Sequence, residues 1–324
     1  MLYIHGGCPK TGTTSLQAAL VGQQDALAEE GILYPDEWRG GNSHNGLARM
    51  LHTEEGLDTA IAELKGLLEG HPDRDIILSS ESLFFRLREE RSQVALLRLL
   101  GAAREVSLVT VAWTLRRLDD MVHSLYRQLT TAGVELRPLS EVASSFQPDL
   151  LIAGFRKVED LVAGVTYVKY DADGQHNSEL LRVFGLPSGP ARLVERALEE
   201  APRLNTSLSQ KQAATILNLE ELSARSGLTL DRKALLSTFR HGDFRFDDDR
   251  PWELMNHAVS RRLHEDMLQA SVRCGFEPYS DFFGEAELSD WDSSAGPAPD
   301  LVSDEDLRKI SSDLSPWGAG NLDT

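Results

Sequence analysis

The first residues with the types and spacing for chemistry are Gly6-Gly7-Cys8-Pro9-Lys10-Thr11-Gly12-Thr13-Thr14-Ser15. Flexible glycines, backbone N–H groups and hydroxyls at the start of a helical sequence make an anion cradle, supported by the helix dipole. Gly7 and Gly12 have the spacing of a nucleotide phosphate loop. In Mg·ATP enzymes that loop continues with Lys, and a later strand ends on an Asp for the metal. Here Thr13 occupies the Lys position, Lys10 comes three residues early, and the later strand closes on Ser79-Ser80-Glu81. Both departures point away from Mg·ATP and towards a different phosphate compound.

Such groups need a sheet to position them. Met1–Ile4 reads as a short apolar strand running into the loop, and "TTSLQAALVGQQDALAEEG" as a helix stopped at Gly31. "ILYP" is a second extended piece, "GLDTAIAELKGLLEG" a helix, and "DIILSSE" a buried strand with polar residues at its carboxyl end. A helix at "RSQVALLRLLGAA" precedes the β-branched strand Glu105–Leu115. The helix "LDDMVHSLYRQLTTAG", the strand "VTYVKY" and the helix "NSELLRVFGL" follow. This alternation implies an α/β fold of three layers, α/β/α, around a central parallel sheet. Ligands of such sheets bind at the carboxyl ends of the strands, and the glycine loop, Glu81 and Arg116 each directly follow one. From about Leu186 the sequence is mainly helical, which gives one α/β domain over 1–284 with a helical C-terminal portion. Over 285–324, ten acidic residues stand against Arg308 and Lys309, the composition of a poorly ordered acidic tail.

"PKTGTTSLQ" resembles the P-loop-like 5′-phosphosulfate loop of sulfotransferases that use 3′-phosphoadenosine 5′-phosphosulfate (PAPS). The resemblance implies that Lys10 contacts the bridging oxygen and the transferring sulfuryl group, with no metal required. Thr11, Gly12, Thr13 and Thr14 would then hold the 5′-phosphate. The family grips the 3′-phosphate with an Arg at a strand end and a Ser eight residues on, and "TLRRLDDMVHSLYRQL" offers Arg116 and Ser124 at that spacing. Arg supplies the planar fork suited to phosphate oxygens. Arg117 is an alternative to Arg116, because spacing fixes the register only to within one residue. "FRHGDFRF" (Phe239–Phe246) is only loosely similar to the family's nucleotide-closing loop and stays outside the core assignment.

Sulfuryl transfer to an alcohol or amine needs a base for the acceptor's proton. Family members use His or Glu near the carboxyl end of a central strand, which implies Glu81, with Ser79 and Ser80 as hydrogen-bond partners. The plainer reading of Glu81 is a helix-start acid in a capping arrangement. His44, in the glycine-rich "GGNSHNG", is the second candidate, for acceptor contact or as an alternative base. His5 is expected to pack, and His123 to lie on the helix face opposite Ser124.

Composition narrows the partners. The chain has 324 residues, 41% hydrophobic and 26% charged, ordinary values for a globular protein. A net charge of −18 argues against nucleic acid as the main partner. No apolar run is long enough for a bilayer, no secretory signal is legible, and two cysteines make no disulfide framework. These features suggest a cytoplasmic protein. The resemblance implies an enzyme using PAPS and releasing 3′-phosphoadenosine 5′-phosphate (PAP), and a small molecule or saccharide is expected as acceptor. The alternatives are a P-loop small-molecule kinase and a non-catalytic nucleotide-binding protein of the same fold.

Overall fold

The structure, a computed structural model, describes residues 1–131, 139–171, 174–200 and 257–284. The expected tail over 285–324 and "FRHGDFRF" lie outside these residues. The chain divides into two compact units. Among the described residues the first comprises 1–121, 146–171, 174–200 and 264–284; the second, 122–131, 139–145 and 257–263. No helix among the described residues is long and apolar enough to cross a membrane.

The first unit is built on five parallel strands: β1 (Leu2–Gly7), β2 (Ile32–Leu33), β3 (Asp75–Ser79), β4 (Val109–Leu115) and β5 (Gly164–Lys169), in the spatial order β2-β3-β1-β4-β5. β1 is therefore central, and the loop leaving it faces the ends of both neighbours. Helices cover both faces, as the alternating sequence predicts. Successive strand residues point to opposite faces, and β4 shows the two cores this creates. Ala112 faces a cluster with Leu16 and Leu20 of α1 (Thr13–Gly22), Leu180 and Leu181 of α10 (Gln175–Val183) and Val194 of α11 (Ser188–Glu200). Trp113 faces the other way, 5.3 Å edge-on from Phe155 of α9 (Pro148–Leu161). Phe155 in turn stacks at 5.3 Å on Phe276, which stands between α12 (His257–Cys274) and α13 (Glu277–Phe283).

Several boundaries differ from expectation for visible reasons. β1 runs on to Gly7, so the first two glycines of the motif are strand residues paired with Trp113 and Thr114. A Cβ on Gly6 would lie 2.2 Å from the Trp113 ring; glycine is needed there for packing rather than for a turn. The long helix expected after the loop is two helices, α1 and α2 (Gln24–Glu29), joined at Gln23. α6 (Glu90–Arg104) extends to the turn before β4, which starts at Val109 rather than Glu105. Helices α3 (Asn45–Met50), α4 (Glu54–Gly70) and α5 (Ser82–Arg86) complete the crossovers on the β3 side. The second unit takes the later residues of α7 (Leu118–Thr131), α8 (Leu139–Ser144) and the first turns of α12.

Candidate functional site

The loop from Cys8 to Gly12 turns tightly between β1 and α1. The Cys8 N–H extends the β1–β4 ladder by donating to the Thr114 carbonyl (2.9 Å), and the Thr11 hydroxyl donates back to the Cys8 carbonyl (2.8 Å). Gly12 enters α1 with φ 69° and caps it without a side chain. Lys10 also has a left-handed backbone, φ 68°. For a non-glycine residue that conformation costs about 1–2 kcal/mol, so the lysine sits where glycine would be easier. Thr11 and Thr13 are buried, Lys10 is half-buried, and Gly12 and Thr14 are exposed. The first N–H groups of α1 lack the usual partner four residues back; Gly12 offers no side chain to cap them, and the Ser15 N–H turns back to the Gly12 carbonyl at 3.1 Å. Burial pushes the Cys8 thiol up to about 12, which removes it as a nucleophile.

A polar layer under the loop ties the strands together. His5 on β1 bridges the Ser79 hydroxyl on β3 (Nδ1, 2.9 Å) and the Thr114 hydroxyl on β4 (Nε2, 3.1 Å). Gln17 of α1 donates to the same Ser79 hydroxyl at 3.0 Å. Full burial, with His176 nearby, lowers His5 to about 3, so the ring is neutral. His5 therefore does pack, as expected, but as the hub of a hydrogen-bond network.

His44 does not offer itself to an acceptor. Its Nδ1 accepts the Ser79 N–H (3.0 Å), which fixes the proton on Nε2, and that N–H donates to the Pro35 carbonyl (2.9 Å). The ring is fully buried, packs edge-on to Tyr34 at 4.6 Å, and is lowered to about 4 mainly by burial. Both nitrogens are engaged with backbone, so His44 braces the segment after β2 against β3. The glycine-rich loop around it suggested exposure, whereas its partners come from Pro35 and Ser79.

Glu81 is the second residue past β3 and is half-buried. Its Oε2 accepts the Thr13 hydroxyl at 3.0 Å, so the carboxylate lies against the first turn of α1. The expected partners Ser79 and Ser80 are used elsewhere: Ser79 by His5 and Gln17, Ser80 by donation to Asn45 Oδ1 at 2.7 Å. The capping reading also fails, since Glu81 makes no cap bond, and the Ser82 N–H is served by Asn45 Oδ1 at 3.3 Å.

Arg116, one residue past β4, donates from Nη1 to the Lys10 carbonyl at 2.8 Å, and its guanidinium lies 5.1 Å over the Tyr170 ring. The neighbouring Arg117 turns to Asp119 (2.9 Å) and Asp120 (3.2 Å). Of the two, Arg116 is the arginine bonded to the loop. Ser124 is buried and belongs to the second unit.

Beside the loop opens a cavity of about 890 Å³, lined by Arg116, Arg117, Lys169, Tyr170, His176 and Phe283 among others. Arg182 adds a cation, while Asp120, Asp171 and Glu179 also reach its wall. His176 and Tyr170 were not legible as site residues. Their one signal was position, since "YDADGQHNS" follows β5 as Arg116 follows β4. Lys10, Thr11, Thr13, Glu81 and Arg116 thus meet at one end of one sheet, with the cavity alongside. Compared with protein-family models, curated proteins and solved structures, the chain matches none.

Proposed function

We propose that the protein is a sulfotransferase, moving a sulfuryl group from PAPS to a hydroxyl or amine of a small molecule or saccharide. The observation that carries this reading is the 2.8 Å bond between Arg116 and the Lys10 carbonyl, which joins the two signatures across 106 residues of sequence. The surroundings fit such a nucleotide. The cavity beside the loop has arginine and lysine for phosphate, and the ring of Tyr170 for a base. PAPS supplies an activated sulfuryl group on a phosphate leaving group.

In this reading Glu81 takes the acceptor's proton as the new bond to sulfur forms. Lys10 offsets the negative charge that develops on the bridging oxygen as the old S–O bond breaks, and the first amides of α1 hold the released phosphate. Thr13 keeps the carboxylate beside the loop, which suits an in-line displacement with base and cradle on one strand-end surface. A kinase reading finds less support: the position where Mg·ATP loops carry lysine holds Thr13, whose hydroxyl is given to Glu81.

Calorimetric titration of the full chain with PAP and with Mg·ATP tests the proposal. Magnesium-independent PAP binding should weaken by about 1.5–3 kcal/mol in Lys10→Ala and in Arg116→Ala, the worth of a hydrogen bond to a charged group. Binding that requires Mg·ATP, or no nucleotide binding at all, rejects it.

A further inference from the structure

Two consecutive carbonyls of the loop are each held by a donor from a different segment. Arg116 Nη1, at the end of β4, donates to the Lys10 carbonyl at 2.8 Å. The Thr11 carbonyl lies 3.1 Å from Nε2 of His176, in the first turn of α10. The proton on that histidine is fixed by its other nitrogen, because Nδ1 accepts the Asp171 N–H at 3.4 Å. Nε2 must then carry the hydrogen and donate it to Thr11. The ring is buried, tilted against Tyr170 at 5.2 Å, and reaches across to Gly12, whose absent Cβ would be 3.7 Å from Nε2. Burial lowers its affinity for a second proton.

In a trans peptide the carbonyl of one residue and the N–H of the next point in opposite directions, and the chain has no cis peptide bond among its described residues. Holding the Lys10 and Thr11 carbonyls on the Arg116–His176 side therefore turns the Thr11 and Gly12 N–H groups the other way. Rotation of either peptide would put a carbonyl dipole where an anion needs an amide. The left-handed φ of Lys10 and Gly12 belongs to a tight turn between strand and helix, and Arg116 and His176 hold two of its carbonyls from outside.

We propose that His176 is a positioning residue of the anion cradle: with Arg116 it fixes the loop carbonyls outward and aims the Thr11 and Gly12 amides at the bound anion. This rests on the reading of the loop as an anion site and adds a residue from β5–α10 to it. The role asks for a neutral donor at the Nε2 position, so glutamine should replace His176 and asparagine, one methylene shorter, should not.

The test is a titration of the isotopically labelled full chain with sodium sulfate, and separately with PAP, followed at the Thr11 and Gly12 amide resonances. Wild type is compared with His176→Leu, His176→Asn and His176→Gln. Loss of one hydrogen bond should weaken sulfate binding about three- to tenfold in the Leu and Asn variants, with Gln close to wild type. Should the Leu variant fail to fold, the Asn and Gln pair decides alone. Equal binding by Asn and Gln overturns the proposal, as does a wild type that binds no sulfate at these amides. A wild type that binds sulfate but not PAP rejects the sulfotransferase reading and leaves the sulfate series to judge His176. PAP binding with no difference among the variants does the reverse.

Discussion

The hydroxyl of Thr13 and the carboxylate of Glu81 meet at 3.0 Å, which puts the proposed base in contact with the first residue of the helix that would receive the phosphate. If Glu81 takes the acceptor's proton, Glu81→Gln should lower sulfuryl transfer by about 10²–10⁴-fold, the usual contribution of a general base. PAP affinity should stay close to wild type. Thr13→Val, which removes the hydroxyl bonded to Glu81 and keeps the backbone N–H, should cost no more than about tenfold. Single-turnover transfer from labelled PAPS to an acceptor used by the wild type measures both, and an undiminished Glu81→Gln rate would place the base elsewhere.

Lys10 carries a useful charge on an unfavourable backbone. Lys10→Gly and Lys10→Ala both remove the ammonium group and should lose transfer alike. They should differ in stability, with the glycine variant about 1–2 kcal/mol more stable because it adopts φ 68° without strain. Urea denaturation of the pair reads this directly, and equal midpoints would mean that the loop relaxes when the lysine is gone.

Gly6 has a different reason to be glycine. Its φ is not left-handed, yet a methyl group there would overlap the Trp113 ring at 2.2 Å. Gly6→Ala must push that indole off Phe155, and should destabilise by about 1–3 kcal/mol or more as an overpacked core does. Trp113→Leu in the Gly6→Ala background should recover part of the loss, a double-mutant cycle that fails if the two effects simply add.

Buried neutral histidines at the site make stability depend on acidity. His5 and His44 are lowered from 6.5 to about 3 and about 4, chiefly by burial. Below pH 6.5 the unfolded chain binds protons that the folded chain refuses, so the stabilisation is complete above pH 6.5 and lost as pH falls towards 4 and 3. Each group can cost up to about 1.4 kcal/mol per pH unit across its window. Denaturation at pH 7, 6 and 5 should show this slope, and His5→Gln should flatten it. A variant with the wild-type slope would show that His5 is not one of the groups responsible.

What the sequence discloses and what it withholds divide along one physical line. The glycine loop, the parallel sheet and the strand-end positions of Glu81 and Arg116 are local: each is encoded by a few adjacent residues and the alternation of periods around them. Partners across the chain are not. Nothing near Gly6 announces Trp113, and nothing in "GGNSHNG" announces that His44 will find Pro35 and Ser79 and be closed off from water. The same holds for Glu81, whose adjacent serines are its obvious partners until the fold gives them to His5 and Asn45. His176 was missed because a histidine two residues into a helix has no local pattern of its own; only the crossing of α10 beside the loop gives it an object.

Cys8 gives the loop a built-in witness. Its thiol is buried directly beneath the turn and bonded into the strand ladder through its own N–H, whereas Cys274 on α12 is half-buried. A thiol reagent can reach Cys8 only when the backbone from Cys8 to Gly12 opens, so its labelling rate, taken against Cys274 as reference, is a clock for that opening. An anion seated in the cradle should slow the clock in proportion to its occupancy, with no need for a reaction to watch or an acceptor to supply.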